Sequence, residues 1–166
     1  MSMLLIARCA ADLDFPQLMQ VYAESNRENA ADFYPFESPQ RQIAMAEQAF
    51  YEYLQLEFFP QPNALYAIWQ VSGQYVSALR LEPYWDGLLL EALETAPDLR
   101  GRGFAAALIE AVKPLTHEKL YSHISKRNSV SLHVHEKCGF RKILDYAEYV
   151  DGTVSQNSCT MCLIRE

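Results

Sequence analysis

Leu88-Leu89-Leu90-Glu91-Ala92-Leu93-Glu94-Thr95-Ala96-Pro97-Asp98-Leu99-Arg100-Gly101-Arg102-Gly103-Phe104-Ala105-Ala106-Ala107-Leu108-Ile109-Glu110-Ala111-Val112 is the stretch on which the fold turns. A strand is expected over Leu88–Thr95, closed by Ala96-Pro97. The glycine-rich turn Arg100–Ala105 then opens directly into a helix from Gly101 to Lys113. In that helix Phe104, Leu108, Ile109 and Val112 recur at helical spacing, and Pro114 stops it. A strand, a tight turn and a helix in this order suit a phosphate. Free N–H groups at a helix start point outward and the helix dipole adds partial positive charge. Glycines permit close approach, Arg100 and Arg102 can add charge-assisted hydrogen bonds, and Ala105 keeps the first turn slim. The run is not a dinucleotide fingerprint, because the third glycine is missing, and it lacks the Gly-Lys-Ser/Thr of a Walker loop.

Upstream, Met3–Ala10 reads as a strand, and Asp12 or Asp14 is placed to cap a helix over Phe15–Asn26. A loop rich in aromatics and proline, Phe33–Pro39, precedes a longer helix, Pro39–Phe59, with Ile43, Ala46, Phe50, Tyr53 and Leu54 on one face. Ala64–Val71 and Gln74–Tyr84 form a hairpin through Ser72-Gly73, and the Leu88–Thr95 strand pairs beside it across Asp86-Gly87. Downstream, a strand is expected at Leu120–Ser125, a helix at Ser129–Cys138, a strand at Phe140–Val150 and, after Asp151-Gly152, a last strand at Val154–Ile164. The order, β-α-α-β-β-β-α-β-α-β-β, predicts a mixed α/β fold with an antiparallel start followed by βαβ crossovers.

The chain has 166 residues, half of them hydrophobic and 21% charged, the balance of one ordinary globular domain spanning 1–166. Its formal net charge of -7 argues against general attraction to nucleic acid or anionic membrane. The apolar opening Met1–Ile6 is followed at once by Arg8, Asp12 and Asp14, without a cleavage pattern, and no apolar run approaches the roughly 20 residues of a membrane span. A cytoplasmic protein with reduced Cys9, Cys138, Cys159 and Cys162 is expected. On a strand, Cys159 and Cys162 point to opposite faces, which disfavours a shared zinc or disulfide. His133 and His135 lie on different helix faces and no fourth ligand accompanies Cys138, so no metal is expected.

Two segments carry a resemblance. Arg100–Ala105 matches the Arg/Gln-x-x-Gly-x-Gly/Ala signature of the GNAT superfamily of N-acetyltransferases, and Asn128-Ser129-Val130-Ser131-Leu132-His133-Val134-His135-Glu136-Lys137-Cys138-Gly139-Phe140 resembles its Asn-x-x-Ala/Ser…Glu-Lys-x-Gly-Phe segment. The resemblance covers Leu88–Val150 well and the region before Gln74 only in its β-α-α opening. It implies a central, mixed, largely antiparallel sheet flanked by helices and splayed near Leu93–Thr95, with acetyl-CoA as co-substrate. Carried over by position, the main chain of Leu93 and Thr95 would bond the pantetheine arm. Arg100, Gly101, Arg102, Gly103, Phe104 and Ala105 would hold the pyrophosphate, and Asn128 and Ser131 would face the arm. The family's frequent tyrosine before the Gly-Phe is His135 here, which is expected to protonate the leaving thiolate or assist through water.

An alkylamine has a pKa of about 10, so acetylating one requires a group to take its proton. Glu91 and Glu94 are the candidates, directly or through water. Alternation sends them to opposite faces, so at most one reaches the acyl group unless a bulge intervenes. The acceptor, a small-molecule or peptide amine, is expected among Tyr34, Phe36, Tyr51, Tyr53, Phe58 and Phe59, with Glu37 or Glu52 nearby. His123 is given no role. A homodimer is an admissible assembly. The reading from another class is a non-catalytic acyl-CoA-binding or sensor module, made plausible by the missing tyrosine.

Overall fold

The Ser72-Gly73 hairpin forms because both residues adopt positive φ, 51° and 81°, the pair that a two-residue turn between twisted strands demands. From it the sheet extends both ways in a computed structural model that describes residues 1–165. The elements are β1 (Ser2–Ala7), α1 (Phe15–Val21), α2 (Ala23–Phe33), α3 (Pro39–Tyr53), β2 (Leu65–Val71), β3 (Gln74–Tyr84) and β4 (Gly87–Thr95). There follow α4 (Phe104–Val112), β5 (Lys119–Ser125), α5 (Ser129–Lys137), β6 (Arg141–Leu144), β7 (Ala147–Glu148), β8 (Val154–Ser155) and β9 (Ser158–Leu163).

Seven strands make one sheet in the order β1-β2-β3-β4-β5-β9-β6, and β7 and β8 pair as a separate small ribbon. Within the large sheet β4 and β5 alone run parallel, and the other neighbours are antiparallel. The mixed, largely antiparallel sheet flanked by helices is therefore present.

On one side of the sheet, Leu108, Ile109 and Val112 of α4 pack on Leu79, Leu81, Leu88 and Leu90, with Leu120 and Ile124 alongside. Each such buried side chain contributes about 1.5–3 kcal/mol. On the other side Leu18, Val21 and Tyr22 join Leu54 and Phe58 over Tyr66, Ile68 and Ala78.

Five expected elements differ in extent, and the last of them, the strand expected over Val154–Ile164, is divided into β8 in the small ribbon and β9 in the large sheet. The first strand stops at Ala7 because Asp12 accepts from the backbone N–H groups of Arg8 and Cys9, closing a short 3-10 turn. The helix expected over Phe15–Asn26 is two helices broken at Tyr22, whose hydroxyl donates to the Ala92 carbonyl at 2.7 Å and accepts from the Tyr66 hydroxyl at 2.8 Å. Of the two proposed caps, Asp14 caps α1 by accepting from Gln17 N. The helix expected to reach Phe59 turns at Leu54–Phe58 into a wider π turn. There Phe50, Tyr53 and Phe58 all lie within 5.8 Å of the Arg80 guanidinium, which ordinary helical spacing would not gather. The strand expected over Phe140–Val150 is divided into β6 and β7 at Asp145, whose carboxylate pairs with Lys126 and Lys142.

Cys159 packs beside Met161 on the α4 side, and Cys162 lies on the far side with Tyr84 and Tyr121. All four cysteines are free. Among the described residues no helix is long and apolar enough to cross a membrane.

Candidate active site

Opposite Arg80 stands Glu91 and opposite Ala78 stands Glu94, so Ala92 and Leu93 together face Leu79 alone. This is a β-bulge, with Ala92 in the left-handed region at φ 53°. The extra residue restores phase, and Glu91 and Glu94 share one face of β4, the face of Ala78 and Arg80. Alternation had separated them except in the case of a bulge, and a bulge is there. Further along, β4 pairs with β5 only from Gly87↔Lys119 to Leu89↔Tyr121. Beyond that point the two strands part, leaving an opening beside Glu91–Thr95.

A cleft of about 630 Å³ occupies the end of that opening, between α4, α5 and α2. Leu93, Thr95, Arg100, Gly101, Gly103, Phe104 and Ala105 line it, as do Asn128 and Ser131; Arg102 does not and is exposed. Gly101 and Gly103 have φ of 78° and 80°, which a side chain would strain, and a Cβ on either would meet no protein atom within 4 Å. Gly103 is the N-cap of α4 and no side chain accepts from the N–H groups of the first turn. Those donors and the positive end of the helix dipole are therefore available to an anion in the cleft.

Arg100 is already engaged. Its Nη1 donates to both carboxylate oxygens of Glu24 at 3.1 and 3.2 Å, and its Nε donates to the Thr95 carbonyl at 3.2 Å. Asn128 caps α5, its Oδ1 accepting from Ser131 N at 3.0 Å. Glu94 lies between this cleft and α2. Its Oε2 is buried with no hydrogen-bond partner among the described residues, and burial pushes its carboxyl up from 4.5. Glu24, Ser25 and Glu28 of α2 and Lys137 of α5 also line the cleft. The three α2 residues come from a stretch with no glycine or spacing signal, whereas Lys137 lies in the Glu-Lys-x-Gly-Phe segment.

A second cavity of about 420 Å³ lies beside the same opening on the face away from α4. Glu82, Leu89, Glu91, Ala92 and His123 form its floor and residues 149–151 its rim. Glu91 Oε1 accepts from Arg80 Nε at 3.1 Å. Burial raises the Glu91 carboxyl while the Arg80 charge opposes the rise. Glu82, 6% exposed, accepts from Gln61 Nε2 at 2.8 Å.

The aromatic residues expected to cup an acceptor do something else. Phe58 is fully buried, Tyr53 and Phe59 pack against the α1–α3 core, Tyr51 meets Phe15 edge-on, and Phe36 is fully exposed. Neither they nor Tyr34, Glu37 or Glu52 lines either cavity. Glu37 pairs with Arg41 and Glu52 accepts from Gln48. The early segments supply α2 carboxylates instead, and the second cavity is built from β4, β5 and the 149–151 turn, which only long-range folding brings together.

His135 is 1% exposed and lines neither cavity. Its Nδ1 lies 2.8 Å from the Ser131 carbonyl, so that nitrogen carries the hydrogen, and Nε2 accepts from the Ser122 hydroxyl at 3.1 Å. Both nitrogens are occupied, and burial holds the imidazole below 6.5. His133 lines the cleft between α4 and α5, and Cys138 is buried with its thiol pushed up to about 11 by burial. Among the described residues no group of three or more His, Cys, Asp or Glu is arranged to hold a metal.

The family model of the acetyltransferase (GNAT) family matches residues 16–140. The chain belongs to the GNAT acetyltransferase family. Its fold agrees. The PaiA N-acetyltransferase of Thermoplasma acidophilum, solved with coenzyme A, superposes with a TM-score of 0.65 at 14% identity, over 96% of this chain and 98% of that one. The ribosomal-protein-S18-alanine N-acetyltransferase of Escherichia coli gives 0.61 at 17%, over 98% and 93%. An acetyltransferase of Bacillus anthracis, in complex with acetyl coenzyme A, gives 0.54 at 19%, over 66% and 67%. No curated protein sequence matches. In this GNAT chain the glycine turn, the bulge and the parting of β4 from β5 meet at one place, between the two cavities.

Proposed function

We propose that this GNAT protein transfers an acetyl group from acetyl-CoA to a primary amine of a small molecule or peptide, by direct attack in a ternary complex. One observation carries the reading: two cavities adjoin the place where β4 leaves β5, one ending at an uncapped helix start and the other lined by Glu82, Glu91 and His123. The cleft fits a coenzyme A diphosphate through the backbone of Gly101, Gly103, Phe104 and Ala105. Arg102, exposed at its margin, adds charge from outside, whereas Arg100 contributes main chain because Glu24 holds its guanidinium.

In this reading Leu93 and Thr95 offer main-chain groups along the unpaired edge of β4 to the pantetheine arm, and Asn128 and Ser131 wall its other side. Backbone N–H groups where β4 parts from β5 stabilise the tetrahedral oxyanion. Glu91, paired with Arg80, receives the acceptor's ammonium. Glu94 sits on the donor side, where its buried oxygen favours a neutral acid. His135 is a positioning residue that ties α5 to β5 through Ser131 and Ser122. The free, largely buried cysteines accord with a reducing cytosol.

The test combines calorimetry of coenzyme A binding with thiol release from acetyl-CoA across polyamines, aminoglycosides, amino acids and peptide N-termini. Binding together with release for one acceptor class is the expected result. Binding without release for any of them would make the protein an acyl-CoA-binding module. No binding would overturn the reading entirely.

A further inference from the structure

His123 is the one imidazole on the floor of the acceptor-side cavity, and its tautomer follows from its neighbours. Tyr84 Oη lies 2.5 Å from the Glu148 carbonyl oxygen, which can only accept, so the single phenolic hydrogen is spent there. His123 Nε2 lies 3.1 Å from the same Tyr84 oxygen. With no hydrogen left on Tyr84 to give, Nε2 must donate. Nδ1 then keeps its lone pair, and it has no partner among the described residues. The ring is held by edge-to-face contacts with Tyr84 at 5.1 Å and Tyr149 at 5.4 Å between centroids.

The strand register places this group at the opening. The parallel ladder ends at Leu89↔Tyr121, and carrying the same register two residues further sets His123 across from Glu91, where the strands have parted. Glu91 is fastened to Arg80, so its charge is fixed in place and suited to holding an ammonium rather than to carrying a proton away. A cation lying between β4 and β5 in this cavity would have Glu91 on one side and His123 on the other.

We propose that His123, through Nδ1, is the group that takes the proton of the acceptor amine, and that Tyr84 is the positioning residue that keeps its lone pair turned to the cavity. The inference rests on the transfer reading above and goes beyond it by naming the base. The balance is complete without any added reagent. An incoming R–NH3+ gives one proton to Nδ1, leaving R–NH2 and an imidazolium that loses its proton to solvent. The amine lone pair then forms the C–N bond at the thioester carbon, the C–S bond breaks with its electron pair on sulfur, and the second nitrogen proton ends on that thiolate as the coenzyme thiol.

Burial holds the His123 imidazole below 6.5, so it is neutral and able to accept at physiological pH. The ionisable groups facing it are Tyr84 of β3, Glu82 and Glu91 of β3 and β4, and Tyr149 and Asp151 of the rim. The phenol of Tyr84 is pushed up to about 12 by burial, and so stays protonated and keeps its hydrogen on Glu148.

Two measurements test this on the full chain. Long-range proton–nitrogen NMR of nitrogen-15-labelled protein at pH 8, with the His123 signals assigned by their loss in His123→Gln, is expected to show Nε2 protonated and Nδ1 bare. In Tyr84→Phe the two tautomers should mix. The reverse tautomer in the parent protein overturns the proposal. Thiol release with acetyl-CoA and the same amine panel supplies the second readout. His123→Gln and His123→Asn are both expected to lose about 100-fold or more in kcat, and to lose the acid limb expected of the parent below pH 6.5. Coenzyme A affinity is the check that each variant is folded. Tyr84→Phe is expected to lower kcat several-fold and to keep the limb. Turnover that survives both His123 variants within two-fold overturns the role of His123 alone. If no amine is acetylated while coenzyme A still binds, the transfer reading fails and the base with it.

Discussion

Glu91 and Glu94 point to one face of β4 because Ala92, between them, sits in the left-handed region at φ 53°. A non-glycine residue there carries about 1–2 kcal/mol of strain. Part of that is recovered by replacing it with glycine, whose freer unfolded chain offsets about 0.4–1 kcal/mol. Ala92→Gly is therefore expected to gain roughly 0.5 kcal/mol in urea unfolding. Ala92→Val, with a branched Cβ in the same conformation, is expected to lose about 2 kcal/mol or more. Equal stability of the two variants would mean that the bulge is absent in solution.

Gly103 and Gly73 both hold φ near 80° with open space where a Cβ would go, and only the first faces the donor-side cleft. Either glycine-to-alanine change is expected to cost about 1–2 kcal/mol of stability through backbone strain. Gly103→Ala should in addition weaken coenzyme A binding about tenfold, equivalent to 1.4 kcal/mol, because the methyl projects toward the ligand. Calorimetry on the two variants separates strain from contact: a similar loss of affinity in Gly73→Ala would remove Gly103 from the site.

His135 is buried, neutral and bonded at both nitrogens, so His135→Ala leaves the Ser122 hydroxyl unpaired beside a void. The expected loss is about 2–4 kcal/mol. The pH dependence has a definite sign. Burial lowers the folded value below 6.5, so below that pH the unfolded chain binds a proton that the native chain refuses. The His135 contribution is complete above pH 6.5 and is lost as pH falls from there through the folded value. His123, lowered by burial as well, adds to the same slope. A chemical-denaturation series from pH 8 to pH 5 that stayed flat would contradict both environments.

Glu94 titrates in the opposite sense. Burial raises its carboxyl above 4.5, so the native state holds a proton more tightly than the unfolded chain, and stability falls as pH rises from 4.5 through the folded value. Glu94→Gln, which removes a charge whose Oε2 has no partner, is expected to stabilise the protein at pH 7 by up to about 1 kcal/mol once solvent screening is counted. The advantage should vanish below pH 4.5. A variant less stable than the parent at pH 7 would show that the carboxylate is paired in solution.

The elements that the sequence specifies locally were readable in it. Gln74–Tyr84 was legible to the residue because Ser72-Gly73 fixes one end and alternation runs through it, and α4 because a glycine turn and Pro114 bracket its apolar stripe. Of the cleft, the same glycine turn supplies Arg100, Gly101, Gly103, Phe104 and Ala105 to the lining. What escaped was set by contacts far apart in the chain. Nothing about Tyr22 announces a helix break, which comes from its bonds to Ala92 and Tyr66. Alanine gives no sign of a bulge. The π turn at Leu54–Phe58 answers to Arg80 on a strand not yet made when the helix is read. The acceptor-side cavity joins Leu89, His123 and the 149–151 turn, three segments with no local signature in common, whereas the aromatic cluster that drew attention to residues 34–59 mostly fills the core.

The parting of β4 from β5 has a kinetic consequence. In the proposed ternary complex a coenzyme lodged against α4 and an amine resting against β5 would reach their meeting point by separate routes, and neither occupant would obstruct the entry or departure of the other. Steric order is not imposed on assembly. Initial-velocity lines should intersect rather than run parallel, and the spent thiol should compete with its acetylated form while leaving the amine's access untouched.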